Sequence, residues 1–256
     1  MLRALTRQVS PNFAACELTF LDRQPIDVAK AIEQHRAYEA CLTELGVHVV
    51  SLPADPEFPD SVFVEDAAIV LDEVAIIARP GAESRRGETQ SIAQALSPFR
   101  GTRYILDPAT LEGGDVVHVG NALYVGLSQR TNRAGVEQLA DLLKPFGYHV
   151  VPVEVQGCLH LKSGACWAGS DVILANRKWI DAKAFRDFKI IDVAGNEPSA
   201  ADVLPIGTKL LVPSSFPHTC EILESSGFDV LPIDVSELQK AEAGVTCMSL
   251  LFEAHG

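Results

Sequence analysis

A cysteine near the end of the chain, in "GVTCMSLLF", a histidine between leucines in "LHLKS", and acidic groups in "FVED" and "LEGGD" are the residues best suited to chemistry. A thiol beside an imidazole makes a nucleophile and a general acid/base, provided that the thiol can become a thiolate. Carboxylates gathered in a concave mouth are wrong for stabilising an oxyanion. They suit a planar cation, above all a guanidinium, gripped through paired hydrogen bonds. Cys247, His160, Glu112, Asp115, Glu65 and Asp66 together suggest attack on a guanidinium carbon. Taken singly, each has a plainer reading. Cys247 would be a small buried hydrophobe, Glu65-Asp66 a strand end or an edge-protecting charge, "EGGD" a tight turn, and His160 a satisfied core histidine. Buried charges are costly unless paired, so their recurrence at similar places favours a shared site.

Those places are set by a repeat. "SVFVEDAAIVLDEVAIIARPG" reads as two strands, followed by a helical stretch "ESRRGETQSIAQALSPF" and a strand "RYILD". The order returns in "GGDVVHVGNALYVGLS", "RTNRAGVEQLADLLKPFG", "YHVVPVEV", and again in "LHLKSGACWAGSDVILAN", "RKWIDAKAFRDF", "KIIDV". A fourth copy is "SAADVLPIGTKLLVPSS", "FPHTCEILESSGF", "DVLPID". Each unit is strand, strand, helix, strand, with a period of roughly 40–50 residues, the range of repeat architectures. The leftovers complete a fifth unit: "GVTCMSLLF" as one strand, "MLRALTRQV" as its partner, the amphipathic helix "DVAKAIEQHRAYEACLTELG", and "VHVVSL". The expected fold is therefore α/β, a five-fold pseudo-symmetric ββαβ propeller closed by the N- and C-terminal strands, with residues 1–256 as one catalytic domain. The first strands of successive hairpins would carry the polar residues toward one central mouth. An open α/β sheet is the alternative topology.

Bulk properties narrow the partners. The chain has 256 residues, 47% hydrophobic and 21% charged, with a formal net charge of −13. Such acidity argues against nucleic acid or anionic membrane as a partner, but not against a small cation. The N-terminus lacks the continuous apolar core of a signal peptide, and no run reaches the ~18 apolar residues of a membrane span. Six widely spaced cysteines without a C-x-x-C pattern fit reduced thiols in the cytoplasm.

"FPDSVFVEDAAIV", "ARPGAESRRGE", "TLEGGDV", "VGLSQRTN", "LHLKS" and "CMSL" stand in the order and spacing of one family. By these motifs the chain resembles the dimethylarginine dimethylaminohydrolases, guanidine-modifying enzymes built on a five-fold ββαβ propeller. The resemblance implies hydrolysis of Nω-methylated arginine to citrulline and methylamine or dimethylamine, with no metal or organic cofactor. It makes Cys247 the nucleophile, His160 the proton donor and then the activator of water against a covalent thiouronium, and Glu112 the group that orients His160. It places Glu65 and Asp66 around the guanidinium, Arg85 and Arg130 on the substrate's α-carboxylate, and Asp60 near its α-amino group. The motif register selects Arg85 over the adjacent Arg86. Leu18 lies where the family has a loop that closes over substrate, and lids of this kind exclude water. Ala241 stands where a larger aliphatic residue is usual, so it bears on which guanidine is preferred.

The implied partner is a small guanidinium amino acid, with a homodimer left open. Two rivals differ in class: a deiminase acting on unmethylated arginine, and a non-catalytic protein that captures arginine-like cations. The short chain, with no inserted helical domain, argues against the deiminase. Zinc held by Cys247 and His160 alone would be adventitious, because two ligands are too few for a structural site.

Overall fold

The computed structural model describes residues 1–254. In chain order its strands are β1 (Leu2–Arg7), β2 (His48–Leu52), β3 (Ala68–Val70), β4 (Val74–Ile77), β5 (Gly101–Tyr104), β6 (Val116–Val119), β7 (Ala122–Leu127), β8 (His149–Glu154), β9 (Ala165–Gly169), β10 (Val172–Ala175), β11 (Lys189–Asp192), β12 (Leu204–Ile206), β13 (Lys209–Pro213), β14 (Asp229–Ile233) and β15 (Leu250–Glu253). The helices are α1 (Val28–Glu44), α2 (Glu88–Leu96), α3 (Arg133–Leu143), α4 (Leu161–Gly164), α5 (Pro217–Ser225) and α6 (Ser236–Gln239).

Five three-stranded sheets result, each an antiparallel pair plus a third strand parallel to the second: β3-β4-β5, β6-β7-β8, β9-β10-β11, β12-β13-β14 and β15-β1-β2. A parallel neighbour cannot be reached by a tight turn; it requires a crossover, which a helix normally supplies. The helices α2, α3, α5 and α1 fill that role, and the caps show where two of them start. Asp27 accepts the Lys30 N–H at 3.1 Å ahead of α1, and Asn132 accepts the Gly135 N–H at 2.8 Å ahead of α3. The fifth sheet joins the chain ends, with Leu2 opposite Glu253 and Leu5 opposite Leu250. The propeller expected from the repeat is the fold observed.

Packing ties neighbouring units together. Ile92 and Leu96 of α2 share a cluster with Ala75 and Ile77 of β4 and with Leu250 and Phe252 of β15. Cys166 of β9 and Leu174 of β10 share another with Leu210 and Val212 of β13 and Leu223 of α5. The inner strands β3, β6, β9, β12 and β15 line a common central cavity of about 230 Å³.

Three expected elements come out shorter. The segment "RKWIDAKAFRDF" forms only the 3-10 turn Ala182–Phe185, because Trp179 and Asp181 are already bonded to Gln156 and Glu154 beside β8. Of "RYILD" only Arg103 and Tyr104 fall in the strand, which runs Gly101–Tyr104. In "GVTCMSLLF" the strand begins at Leu250, so Cys247 precedes it by three residues.

Candidate active site

The chemical residues do not lie on the inner strands, where the repeat alone would put them, but on the turns leading into those strands. Glu65 and Asp66 occupy the 3-10 turn Val64–Ala67 before β3, and Glu112 caps the turn Gly113–Asp115 before β6. His160 caps α4 before β9, and Cys247 sits in the turn before β15. A strand would send successive side chains to opposite faces, whereas these short turns rotate them toward one mouth. Glycine makes the approach close enough. A Cβ on Gly114 would overlap both the His160 ring and the Asp66 carboxylate, and one on Gly113 would overlap the Glu65 carbonyl. The Glu65 N–H donates to the Cys247 carbonyl at 3.2 Å, which docks the first and fifth units to each other.

At this mouth Asp66, His160 and Cys247 line one narrow cavity of about 20 Å³ with Asp60, Arg85, Arg130 and Ala241. Glu112 lies wholly buried behind His160, its Oε2 at 2.7 Å from the imidazole Nε2. Its Oε1 accepts the Gly81 N–H at 2.9 Å and lies 3.5 Å from Arg130 Nη1. Asp115 turns away from the mouth, accepting from the Leu161 N–H at 2.9 Å and the Ser128 hydroxyl at 2.6 Å, and so fixes the start of α4 next to His160.

Arg85 and Arg86 are told apart by their surroundings. Arg86 points outward to Glu83 and the Pro80 carbonyl, while Arg85 is buried at the cavity wall. The Arg85 guanidinium binds Asp66 at 2.7 Å and Glu88 at 2.9 and 3.1 Å, and reaches two backbone carbonyls. Arg130 is freer. Its Nη2 donates to the Thr19 hydroxyl at 3.0 Å, but its buried Nη1 has no hydrogen-bond partner. Glu65 is absent from the cavity wall. Its carboxylate binds Lys162 at 2.5 Å and the Thr246 hydroxyl at 2.7 Å and lines the central cavity instead.

Leu18 packs against the core cluster that contains Phe63 and Ala241, inside a segment clasped across the mouth. The Glu17 N–H donates to the Asp60 carboxylate at 3.1 and 3.3 Å. Glu242 accepts three consecutive amides, from Thr19 at 2.9 Å, from Phe20, and from Leu21 at 2.6 Å. Sequence reading missed Glu242, as well as Asp202, Thr246 and Lys162, whose carboxylate, hydroxyl and ammonium meet behind Cys247. Asp202 had a signal. "SAADVL" opens the fourth unit as "FVEDAAIV" opens the first, and each aspartate stands two residues before its strand.

Charge is organised around the imidazole. Burial would lower the His160 pKa, but the charge of Asp66 and the bond to Glu112 outweigh it and raise it to about 9. Burial would raise Glu112; the hydrogen bond and charge of His160, with Arg85 and Arg130, bring it to about 2 instead. Burial pushes the Cys247 thiol well above its ordinary value, and the carboxylates of Asp202, Glu65 and Asp66 push the same way. The resting site is thus an imidazolium next to a neutral thiol. A cation placed beside the sulfur would favour the thiolate.

Among the described residues, only Asp66, Glu112 and His160 bring three candidate metal-ligating atoms within 4.8 Å of one another. Each already has a partner: Asp66 binds Arg85 and the Gly114 N–H, and Glu112 binds His160. With two arginines beside them, these groups form a hydrogen-bonded acid–base set better than a metal centre.

A five-unit ββαβ propeller with a cysteine, a histidine and a glutamate at one mouth defines the class of guanidine-modifying propellers. The family model described as N,N dimethylarginine dimethylhydrolase, eukaryotic, matches residues 20–252. The N(G),N(G)-dimethylarginine dimethylaminohydrolase of Pseudomonas aeruginosa is 40% identical over 228 residues, 88% of this chain and 90% of its own length. That of Streptomyces coelicolor is 37% identical over 249 residues, 97% of this chain and 96% of its own. A solved structure of a cysteine-to-serine mutant of the Pseudomonas aeruginosa enzyme, complexed with citrulline, aligns with a TM-score of 0.91 at 36% identity, covering 98% of this chain and all of that one. The chain belongs to the dimethylarginine dimethylaminohydrolase family.

Proposed function

We propose that this protein hydrolyses Nω-methylated arginines to citrulline and dimethylamine or methylamine, with residues 1–256 acting as one catalytic domain in the cytosol. The observation that carries the reading is that Cys247 and His160, the latter held from behind by Glu112, share a cavity with Asp66, Asp60 and Arg130. Nucleophile, proton donor and anchors for a cationic amino acid are then within one substrate's reach. Six free cysteines fit a reducing compartment.

Asp66 holds the guanidinium, and its arrival lowers the cost of ionising Cys247. The thiol loses its proton to solvent and the thiolate attacks the guanidinium carbon. The His160 imidazolium gives its proton to the departing amine, which leaves neutral and is protonated in solvent. The C–N bond breaks and a covalent thiouronium remains. Neutral His160 then takes a proton from water, whose oxygen attacks the same carbon; the C–S bond breaks, releasing citrulline and the thiol. One water is consumed for each amine released. Glu112 acts on His160, holding the ring and favouring its charged form. At the other end Arg130, whose Nη1 makes no hydrogen bond, receives the α-carboxylate. Arg85, expected to share that role, is held by Asp66 and Glu88 and orients Asp66 from the cavity wall. Asp60 receives the α-amino group once the Glu17 amide has withdrawn from it. Leu18 rides on the segment that closes the mouth, and Ala241 leaves room beside the bound side chain. Glu65 acts from behind, through Thr246.

The test is a substrate panel of dimethylarginine, monomethylarginine and arginine at matched concentrations, followed by citrulline detection. Methylated substrates should lead, and a clear preference for arginine overturns the assignment. Cys247→Ser should abolish turnover while retaining the fold and ligand binding. Undiminished citrulline formation by that variant removes Cys247 from the mechanism.

A further inference from the structure

Behind the nucleophile lies a chain of polar groups in which the proposed reaction gives Asp202 no part. Thr246 Oγ1 is 2.7 Å from Glu65 Oε2 and 2.9 Å from Asp202 Oδ2, and the Thr246 N–H donates to Asp202 Oδ1 at 2.9 Å. A hydroxyl has a single proton to give. Close approach to two carboxyl groups therefore requires a second proton, carried by Glu65 or Asp202 and donated to Thr246 Oγ1. Both acids lie in surroundings that favour the protonated form: burial raises Glu65 to about 7, and burial raises Asp202.

Asp202 stands apart from Glu65, Asp66 and Glu112. Glu65 has Lys162, Asp66 has Arg85 and Glu112 has His160, but no ion pair among the described residues includes Asp202. It is also the fourth unit's counterpart of the site residues, two positions before β12. Its carboxylate is built into the nucleophile turn. A Cβ on Gly244 would overlap it, and the Gly244 N–H donates to Cys247 Sγ at 3.4 Å. The other charged groups facing Cys247 are the anions Glu17, Asp60, Glu65, Asp66 and Glu242 and the cations Arg85, Arg130 and His160.

We propose that Asp202 is a positioning residue for the nucleophile: it fixes the Gly244–Cys247 turn through Thr246 and, by the proton shared across the Thr246 hydroxyl, sets how readily the thiol ionises in the empty site. The inference rests on Cys247 being the nucleophile. With the shared proton in place, Glu65 and Asp202 present one negative charge, balanced by Lys162. Once it is lost, a second negative charge opposes the thiolate. The empty site therefore keeps its thiol protonated and unreactive, and a bound cation reverses the balance.

Asp202→Asn keeps both hydrogen bonds, with the amide oxygen accepting from the Thr246 N–H and the amide nitrogen donating to Oγ1, but removes the charge. The pH midpoint of Cys247 alkylation by iodoacetamide, in ligand-free protein, should fall by roughly one unit or more. Alkylation at Cys247 is located by peptide mass spectrometry and needs no turnover, so it reads this inference even if the substrate assignment fails. Asp202→Ala leaves the turn unheld and should lower kcat by roughly 10- to 100-fold with KM within about twofold. Asp202→Asn should recover most of that loss, which sets positioning apart from general misfolding. An Asn variant whose alkylation midpoint coincides with wild type overturns control of the thiol. An Ala variant with wild-type kcat overturns the positioning role.

Discussion

Burial would lower the titration of His160, but the carboxylates of Asp66, Glu112 and Asp115 outweigh it and keep the imidazole charged. Glu112 contributes through a 2.7 Å hydrogen bond and Asp66 through charge at 3.8 Å. The folded His160 titrates at about 9 against an ordinary 6.5, so its contribution to stability is complete below 6.5 and is lost as pH rises through 9. Glu112 titrates at about 2 against 4.5, so its contribution is complete above 4.5 and is lost as pH falls through 2. The pair is at full strength between about pH 4.5 and 6.5 and weakens on either side. Glu112→Gln removes one of the three anions and should bring the imidazole midpoint down from about 9 toward 6.5, as followed by NMR titration. An unmoved midpoint would show that Asp66 and Asp115 govern the charge without Glu112. These residues were legible because each motif kept its spacing from the repeat. Glu242 and Thr246 were not, since their roles depend on which way a turn faces, and no periodicity reports that.

At the scale of elements, the lead-in turns and the clasped segment decide what the site can do. Hydrophobic alternation located the inner strands but not the residues just before them, because a 3-10 turn and a strand start both read as short apolar runs with polar interruptions. The segment from Glu17 to Leu21 carries no helix or strand to hold it. It is held by Asp60, Arg130 and above all Glu242, whose φ of 63° is unusual for a residue with a side chain. Closure therefore rests chiefly on one carboxylate in a strained backbone. Glu242→Gly removes the clasp and relieves the strain together. We expect faster proteolytic cleavage within residues 17–21 while the thermal midpoint stays level or rises. A variant that loses its midpoint along with its resistance would mean that Glu242 supports the core and not the lid.

For the whole molecule, the question is what keeps a nucleophile three residues from a terminal strand in register with partners from three other units. Internal repetition made four units and the need for a fifth visible, yet nothing in either end alone announces their pairing. It follows from the leftovers, because an inner strand without a hairpin partner leaves a ladder unpaired. The observed seam is continuous: β15 pairs with β1, the Ala254 N–H donates to the Met1 carbonyl at 3.0 Å, and the terminal ammonium meets Glu253 at 2.7 Å. If the ring is held by this pairing and not by the position of the chain ends, those ends are interchangeable with any exposed turn. A circular permutant should test this, with the native ends joined by a short glycine-serine linker and new ends opened at the exposed Gly120-Asn121 turn between β6 and β7. It should fold and retain kcat/KM within roughly tenfold, since the seam survives and only a hairpin turn is cut. Deleting residues 1–7 instead removes β1, leaves β15 and β2 without their shared partner, and should abolish turnover. An inactive but folded permutant, or an active deletion variant, would break the link between the seam and the position of Cys247.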